Sequence, residues 1–324
     1  MTSSRNTETA RPLSPGALPA ASPMLAAVGG LAAVHAASAQ ALASPGASPD
    51  ERRATGLDPR WRIEDLGLDS IDPALAAADD DLACLVCAAS FVESGSALYS
   101  ANLAEHFSDD ENIVRWLDER WESDELRHGR ALRAYLAKAW PDFDWQTAFD
   151  AFFAEYSTMC STELLEPSRA LEMAARCVVE MGTSTLYRSI SETAQEPVLK
   201  RLAWEIAQDE TLHYKNFLAF FKLRNADEKK GRLAVCGALA RRVWELRADD
   251  ADCALRHVFA HRHPEWDAAD FKAGRKRVNL VARRKLSAQL ASKMLLKPLE
   301  LSRSAERWIE PALTRATQAA MARF

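Results

Sequence analysis

Two segments of this chain carry the same pattern of acids and histidines, and any fold it adopts has to accommodate both. Asp124-Glu125-Leu126-Arg127-His128 recurs as Asp209-Glu210-Thr211-Leu212-His213. Ahead of each lies a second matched pair: Val92-Glu93-Ser94-Gly95 with Tyr99, and Val179-Glu180-Met181-Gly182 with Tyr187. On an α-helix, residues three apart share a face, so Glu125 with His128, and Glu210 with His213, point the same way. Glu93 and Glu180 each follow an apolar run, Ala88 to Val92 and Cys177 to Val179, where a solvated surface glutamate is not expected. Each half therefore supplies one helix bearing a Glu and a partner bearing Glu-x-x-His, in the same order. A site shared between two helical hairpins requires such an internal repeat.

Proline placement sorts the chain into those hairpins, because proline ends helices and is rare inside them. Between Pro73 and Pro264 the only prolines are Pro141, Pro167 and Pro197, and the intervals are rich in good helix formers. The spacing predicts four long helices, about 74–105, 110–139, 168–194 and 197–223. Asp109 and Asp110 suit the start of the second, and Pro197 suits the first turn of the fourth. Short turns near His106-Phe107-Ser108 and Gln195-Glu196 make each pair antiparallel. A long crossover joins the pairs and is itself partly helical from Trp145 to Tyr156. The expected fold is all-α: a ferritin-like four-helix bundle with one long crossover plus additional C-terminal helices. Its domain spans 61–324, with a core bundle at about 74–223 and a basic helical extension at about 226–324.

The bundle axis would then receive Glu93, Glu125, His128, Glu180, Glu210 and His213, the ligand set of a di-iron or di-manganese carboxylate site. Six ionisable groups aimed into a core are destabilising unless something neutralises them, and two divalent cations against four carboxylates do so. Mixed oxygen and imidazole ligation suits Fe or Mn. A single Glu-x-x-His means little; two copies, each with Asp directly before the Glu and on matching helices, are a specific signal. Asp124 and Asp209 lie one turn before the histidines and are expected to accept an imidazole proton, directly or across the bundle. Tyr99, Tyr187 and Tyr214 are read as packing rather than as redox groups.

At this point the sequence resembles the soluble acyl-carrier-protein desaturases. The segment Trp121-Glu122-Ser123-Asp124-Glu125-Leu126-Arg127-His128-Gly129, with Leu132 and Tyr135-Leu136 after it, is similar to their first metal motif, including the Trp four residues before the ligand Glu. Glu180-x-x-Thr183 is similar to their third ligand with its threonine, and Asp209-Glu210-x-x-His213 to their second motif. The resemblance covers roughly 75–223. It implies two iron ions (Fe2+/Fe3+, with Mn/Fe an alternative), oxygen activation and proton delivery by Thr183 with Asp209, and cis desaturation of a fatty acyl chain on acyl carrier protein. A ferredoxin-type donor would supply the electrons. Trp121 and Asp124 join Thr183 and Asp209 as candidate catalytic residues. Ser184 and Thr185 adjoin Thr183, which leaves open which hydroxyl faces the metals. Hydroxylases and N-oxygenases on this fold share the Asp-Glu-x-x-His motif, so oxidation of another metabolite is the alternative, and iron storage is the non-enzymatic one.

The remaining features bound partners and location. Of the first fifty residues 31 are Ala, Ser, Pro or Gly, and no aromatic occurs before Trp61, so residues 1–60 are expected to be a disordered leader. Met24 to Val34 followed by Ala37-Ser38-Ala39 imitates an export signal, yet no basic cluster directly precedes it. Six cysteines without a framework spacing suit a reducing cytosol. A cytoplasmic location is therefore expected, with export through residues 1–39 the lesser reading. Cys84-Leu-Val-Cys87 is read as two thiols on a packed helix, and His257, His261 and His263 as a polar helix end. No apolar run reaches the ~20 residues of a membrane span. A net charge of −5 excludes general nucleic-acid binding. Within this acidic chain, residues 271–298 hold nine Lys or Arg and no acid, a face that would steer an acidic carrier protein or ferredoxin. A homodimer is the expected assembly.

Overall fold

A computed structural model describes residues 59–245 and 250–323, and among them all regular structure is helical. The expected leader, with its export-like segment, lies outside the described residues except for Pro59 and Arg60. The first expected helix is three: α1 (Pro73–Ala77), α2 (Asp80–Ser94) and α3 (Ser96–His106). Asp72 caps α1 from its side chain and Asp79 caps α2, each accepting first-turn N–H groups. The break falls at Gly95, where the path bends by 40°, and a Cβ there would lie 3.2 Å from the Tyr156 ring. The second expected helix is α4 (Glu111–Trp116), a π-helical segment Leu117–Trp121, and α5 (Glu122–Ala139). Asp110 caps α4, while Asp109 instead pairs with Arg169 and Arg224.

The crossover holds α6 (Trp145–Met159), close to its expected position. Then come α7 (Arg169–Thr193), capped by Ser168, and α8 (Pro197–Glu228), capped by Glu196 with Pro197 in its first turn. The C-terminal region adds α9 (Arg232–Glu245), α10 (Asp250–Arg262), α11 (Ala268–Arg283), α12 (Ala288–Leu296) and α13 (Arg303–Arg323).

Two apolar clusters make up the core: α7 and α8 each pass from one to the other, while α2 continues into the second through α3 and α5 is reached from it through the π-helical segment. Phe91 of α2, Ala131 and Leu132 of α5, Tyr187 and Ile190 of α7, and Ile206 and Ala207 of α8 belong to the first. Leu103 of α3, Trp121 before α5, Cys177 and Val178 of α7, and Tyr214 and Phe217 of α8 belong to the second. Glu93, Glu125 with His128, Glu180, and Glu210 with His213 fall between them. The order of the clusters along the chain makes α2 and α5 antiparallel, and likewise α7 and α8, while α5 and α7 run the same way. A polar layer is thereby held mid-bundle between two dry regions.

Five of the nine basic residues of the C-terminal segment form ion pairs within the fold while keeping about half of their side-chain surface exposed. Arg277 pairs with Asp81, Arg284 with Asp79, Arg275 with Asp252, Lys293 with Glu310 and Lys297 with Glu306. Two of these pairs, both solvent-exposed and so individually weak, lie between the α11 end of the segment and the acidic start of α2. Cys84 and Cys87 are packed, as expected, and burial pushes both thiols up. Among the described residues no single helix is long and apolar enough to cross a membrane; α2 with α3 passes on length and composition as a bent pair.

The contact between α2 and α5 is close beside the polar layer. A Cβ at Gly129 would lie 2.6 Å from the Ser94 hydroxyl and 2.8 Å from its backbone nitrogen. Gly129→Ala should therefore push the helices apart and destabilise the fold by about 1–3 kcal/mol in thermal or denaturant unfolding. An unchanged midpoint would contradict so tight an approach.

Candidate metal centre

The four helices bring all six expected ligands together. Glu93, Glu125, His128 and Glu210 form one group whose ligand atoms all lie within 4.8 Å of one another; Glu125, Glu180, Glu210 and His213 form the other. Glu125 and Glu210 belong to both. His128 Nδ1 is 3.1 Å from Glu210 Oε1 and 3.6 Å from Glu93 Oε2. His213 Nδ1 is 3.1 Å from Glu125 Oε1 and 3.5 Å from Glu180 Oε2. Five of the six are buried, and Glu125 keeps 12% of its side-chain surface.

One atom of each residue is turned inward without a hydrogen-bond partner: Glu93 Oε2, Glu125 Oε1, His128 Nδ1, Glu180 Oε2, Glu210 Oε1 and His213 Nδ1. Most of the outward atoms, by contrast, are held. Tyr187 donates to Glu93 Oε1 at 2.5 Å, Trp121 Nε1 to Glu180 Oε1 at 3.2 Å, and Thr183 Oγ1 to Glu210 Oε2 at 2.8 Å. Buried polar atoms rarely go unpaired, and these six, which face only one another in two adjoining groups, combine hard carboxylate with borderline imidazole donors. These buried clusters could hold metal ions.

The aspartates act across the bundle. His128 Nε2 lies 3.2 Å from Asp209 Oδ2, and His213 Nε2 lies 3.3 Å from Asp124 Oδ2, so each imidazole is oriented by the other half of the repeat. Arg127 ties the two aspartates together, donating to Asp124 at 2.6 Å and to Asp209 at 2.8 Å. Asp209 also accepts from Arg60 at 2.9 Å and Trp61 Nε1 at 2.7 Å, and the Trp61 ring stacks over His128. Arg120 completes Asp124 at 2.9 Å. No hydrogen bond joins Thr183 to Asp209. Of the three adjacent hydroxyls, Thr183 is the one that meets a ligand: Ser184 meets Thr211, and Thr185 bonds the Met181 carbonyl.

Sequence reasoning missed Arg127, Arg60, Trp61 and the Tyr187 contact. Arg127 stands inside the motif, where its charge was the available signal. Tyr187, read as packing, is a ligand partner; Tyr214 bonds the Met294 carbonyl, and Tyr99 lies beneath Arg176. The histidine cluster does have a carboxylate: Glu155 of α6 meets His257 at 2.9 Å and, with Cys253, makes a further group with metal-ligand spacing. Arg256 already donates to both oxygens of Glu155.

Without metal, the cluster balances its charge with protons. Burial disfavours the imidazolium forms, but the surrounding carboxylates outweigh it and hold His128 and His213 well above the ordinary imidazole range. Burial, then the neighbouring Glu210, drives Glu125 far up. Burial pushes Glu180 up to about 7 against the pull of His213. Burial also opposes the charge of Asp209, yet His128, Arg127 and Trp61 hold its carboxyl far below the usual range.

Two clefts open on the surface, of about 380 Å³ beside Ala104, Val114 and Asp118 and about 250 Å³ beside Arg133, Trp140 and Trp145; none of the six ligands lines either. No protein-family model matches the chain, and no curated protein matches it.

Metal binding must expel the protons on His128, His213, Glu125 and Glu180, because those groups bind a cation only when deprotonated. Calorimetry of Mn(II) binding at pH 7 in buffers of different ionisation enthalpy should report net proton release, and affinity should fall as pH drops from 8 to 6. Proton-neutral, pH-independent binding would contradict this charge balance.

Proposed function

We propose that the chain is a ferritin-like di-iron oxidoreductase that uses O2 to oxidise an unactivated C–H bond. The observation that carries this reading is the set of six inward, unpartnered ligand atoms grouped around a shared Glu125 and Glu210. Glu93 with His128 would hold one iron, Glu180 with His213 the other, and the shared pair both. Two irons so held would supply the redox capacity that O2 activation needs.

The chain's own residues would do the rest. Tyr187, Trp121 and Thr183 each occupy the outer oxygen of a carboxylate and so fix which oxygen faces the centre. Asp209 and Asp124 hold the imidazoles to one ring orientation and increase their basicity. An acid as firmly ionised as Asp209 is suited to orientation, and we assign proton handling to the half-buried Thr183 hydroxyl on Glu210. The two apolar clusters keep water from the layer on either side, which protects an oxidising centre from side reactions.

By its resemblance to the acyl-carrier-protein desaturases, the substrate is a fatty acyl chain on an acyl carrier. Its desaturation would consume O2, two electrons from a ferredoxin-type donor and two protons, and yield two waters.

The test is anaerobic loading with Fe(II), then O2 with reductant and candidate acyl carriers, read by mass analysis. Two irons per chain and a product lighter by two hydrogens are expected. A product heavier by one oxygen would move the reading to hydroxylation, and uptake of far more than two irons without substrate oxidation would replace it with storage. Asp209→Asn should lower metal affinity or turnover by about 10–100-fold while the fold is retained.

A further inference from the structure

The two halves of the centre repeat their ligands but not what stands behind them. Behind Glu93 is a neutral donor, the Tyr187 hydroxyl at 2.5 Å. No Lys or Arg pairs with Glu93 among the described residues. Behind Glu180, besides Trp121, is a full positive charge: Arg176 Nη2 lies 3.9 Å from Glu180 Oε1. Arg176 is 4% exposed and sits over the rings of Tyr99, Trp121 and Phe217 at 4.5, 5.8 and 5.8 Å. Its Nε has no hydrogen-bond partner.

The difference is written in the sequence. Arg176 stands one turn before Glu180, and Ala89 stands one turn before Glu93. A second acid that acts on Arg176 is Glu172, fully buried, but its carboxylate accepts from Arg242 at 3.2 Å and from the Glu166 backbone N–H at 2.8 Å. The outer aspartates do not cancel the asymmetry, since each has one arginine of its own (Arg60 on Asp209, Arg120 on Asp124) and shares Arg127.

We infer that the two metal positions are inequivalent: the one built on Glu93 and His128 binds its ion first and more tightly, because Arg176 sets a buried like charge directly against a ligand of the other. This rests on the two-metal reading above. A fixed cation in a low-dielectric layer repels an incoming dication strongly and is little screened by salt. Arg176 is thus a positioning residue that sets the order of loading.

The test is anaerobic titration of the metal-free, full-length protein with Mn(II), followed by calorimetry and by electron paramagnetic resonance. One equivalent should give an isolated Mn(II) signal, the second a spin-coupled pair, with dissociation constants at least tenfold apart. Arg176→Gln should bring the two steps together, whereas Arg176→Lys, which keeps the charge, should preserve them. Should Arg176→Gln not fold, the ligand variants decide: Glu180→Ala should retain the tight step and Glu93→Ala should lose it. Coupled pairs at substoichiometric metal, or a tight step that survives in Glu93→Ala, would overturn the inference and leave the two-metal centre standing. No coupled signal at any loading would instead overturn the two-metal centre, and this inference with it.

Discussion

Four carboxylates and two imidazoles face one another in a layer that water scarcely reaches, and the rest of the molecule is arranged around that confrontation. Two like charges 4–5 Å apart repel by roughly 3–4 kcal/mol at an effective dielectric of about 20. A few such pairs would match the whole ~5–15 kcal/mol stability of a domain. Something positive has to occupy the centre. In the metal-free protein the imidazoles and the Glu125 carboxyl are driven toward holding protons; two dications would match the carboxylate charge instead. Mobile side chains could relieve the repulsion by swinging to the surface, but the hydrogen bonds from Tyr187, Trp121 and Thr183 prevent that.

The surrounding fold makes such an arrangement tolerable. The chain buries apolar residues on both sides of each ligand, within α7 and α8 and across the breaks at Gly95 and Trp121 for the other two, so the stability comes from two hydrophobic clusters and the polar layer is carried between them. The two hairpins are also interlocked by charge, since the aspartate that orients each imidazole belongs to the other hairpin and Arg127 joins both aspartates. Disturbing one hairpin therefore misorients a histidine on the other. The segment at Arg60 and Trp61 joins the same network, which makes the stretch just before α1 part of the site.

Much of this was legible in the sequence, for a physical reason. A helix turns a spacing of three into a shared face, so the Glu-x-x-His pairs and the aspartates before them could be placed from the motif alone, while Trp121 was singled out only by the family resemblance. What escaped was set by tertiary context. The Tyr156 ring that closes over Gly95 at the bend is distant in the chain, and the π-helical segment before α5 has no compositional mark. Trp61 and Arg60 adjoin a low-complexity stretch, and only the folded chain brings them to Asp209. The basic run at 271–298 was visible, but the ion pairs that Arg275, Arg277 and Arg284 form with Asp252, Asp81 and Asp79 were not.

The most direct measurement is anomalous X-ray scattering at the manganese edge from crystals of the full-length protein grown anaerobically with Mn(II). Two peaks per chain are expected within the buried layer, both in contact with Glu125 and Glu210. Peaks confined to the surface group of Glu155, Cys253 and His257, or an empty layer at saturating metal, would contradict a two-metal centre.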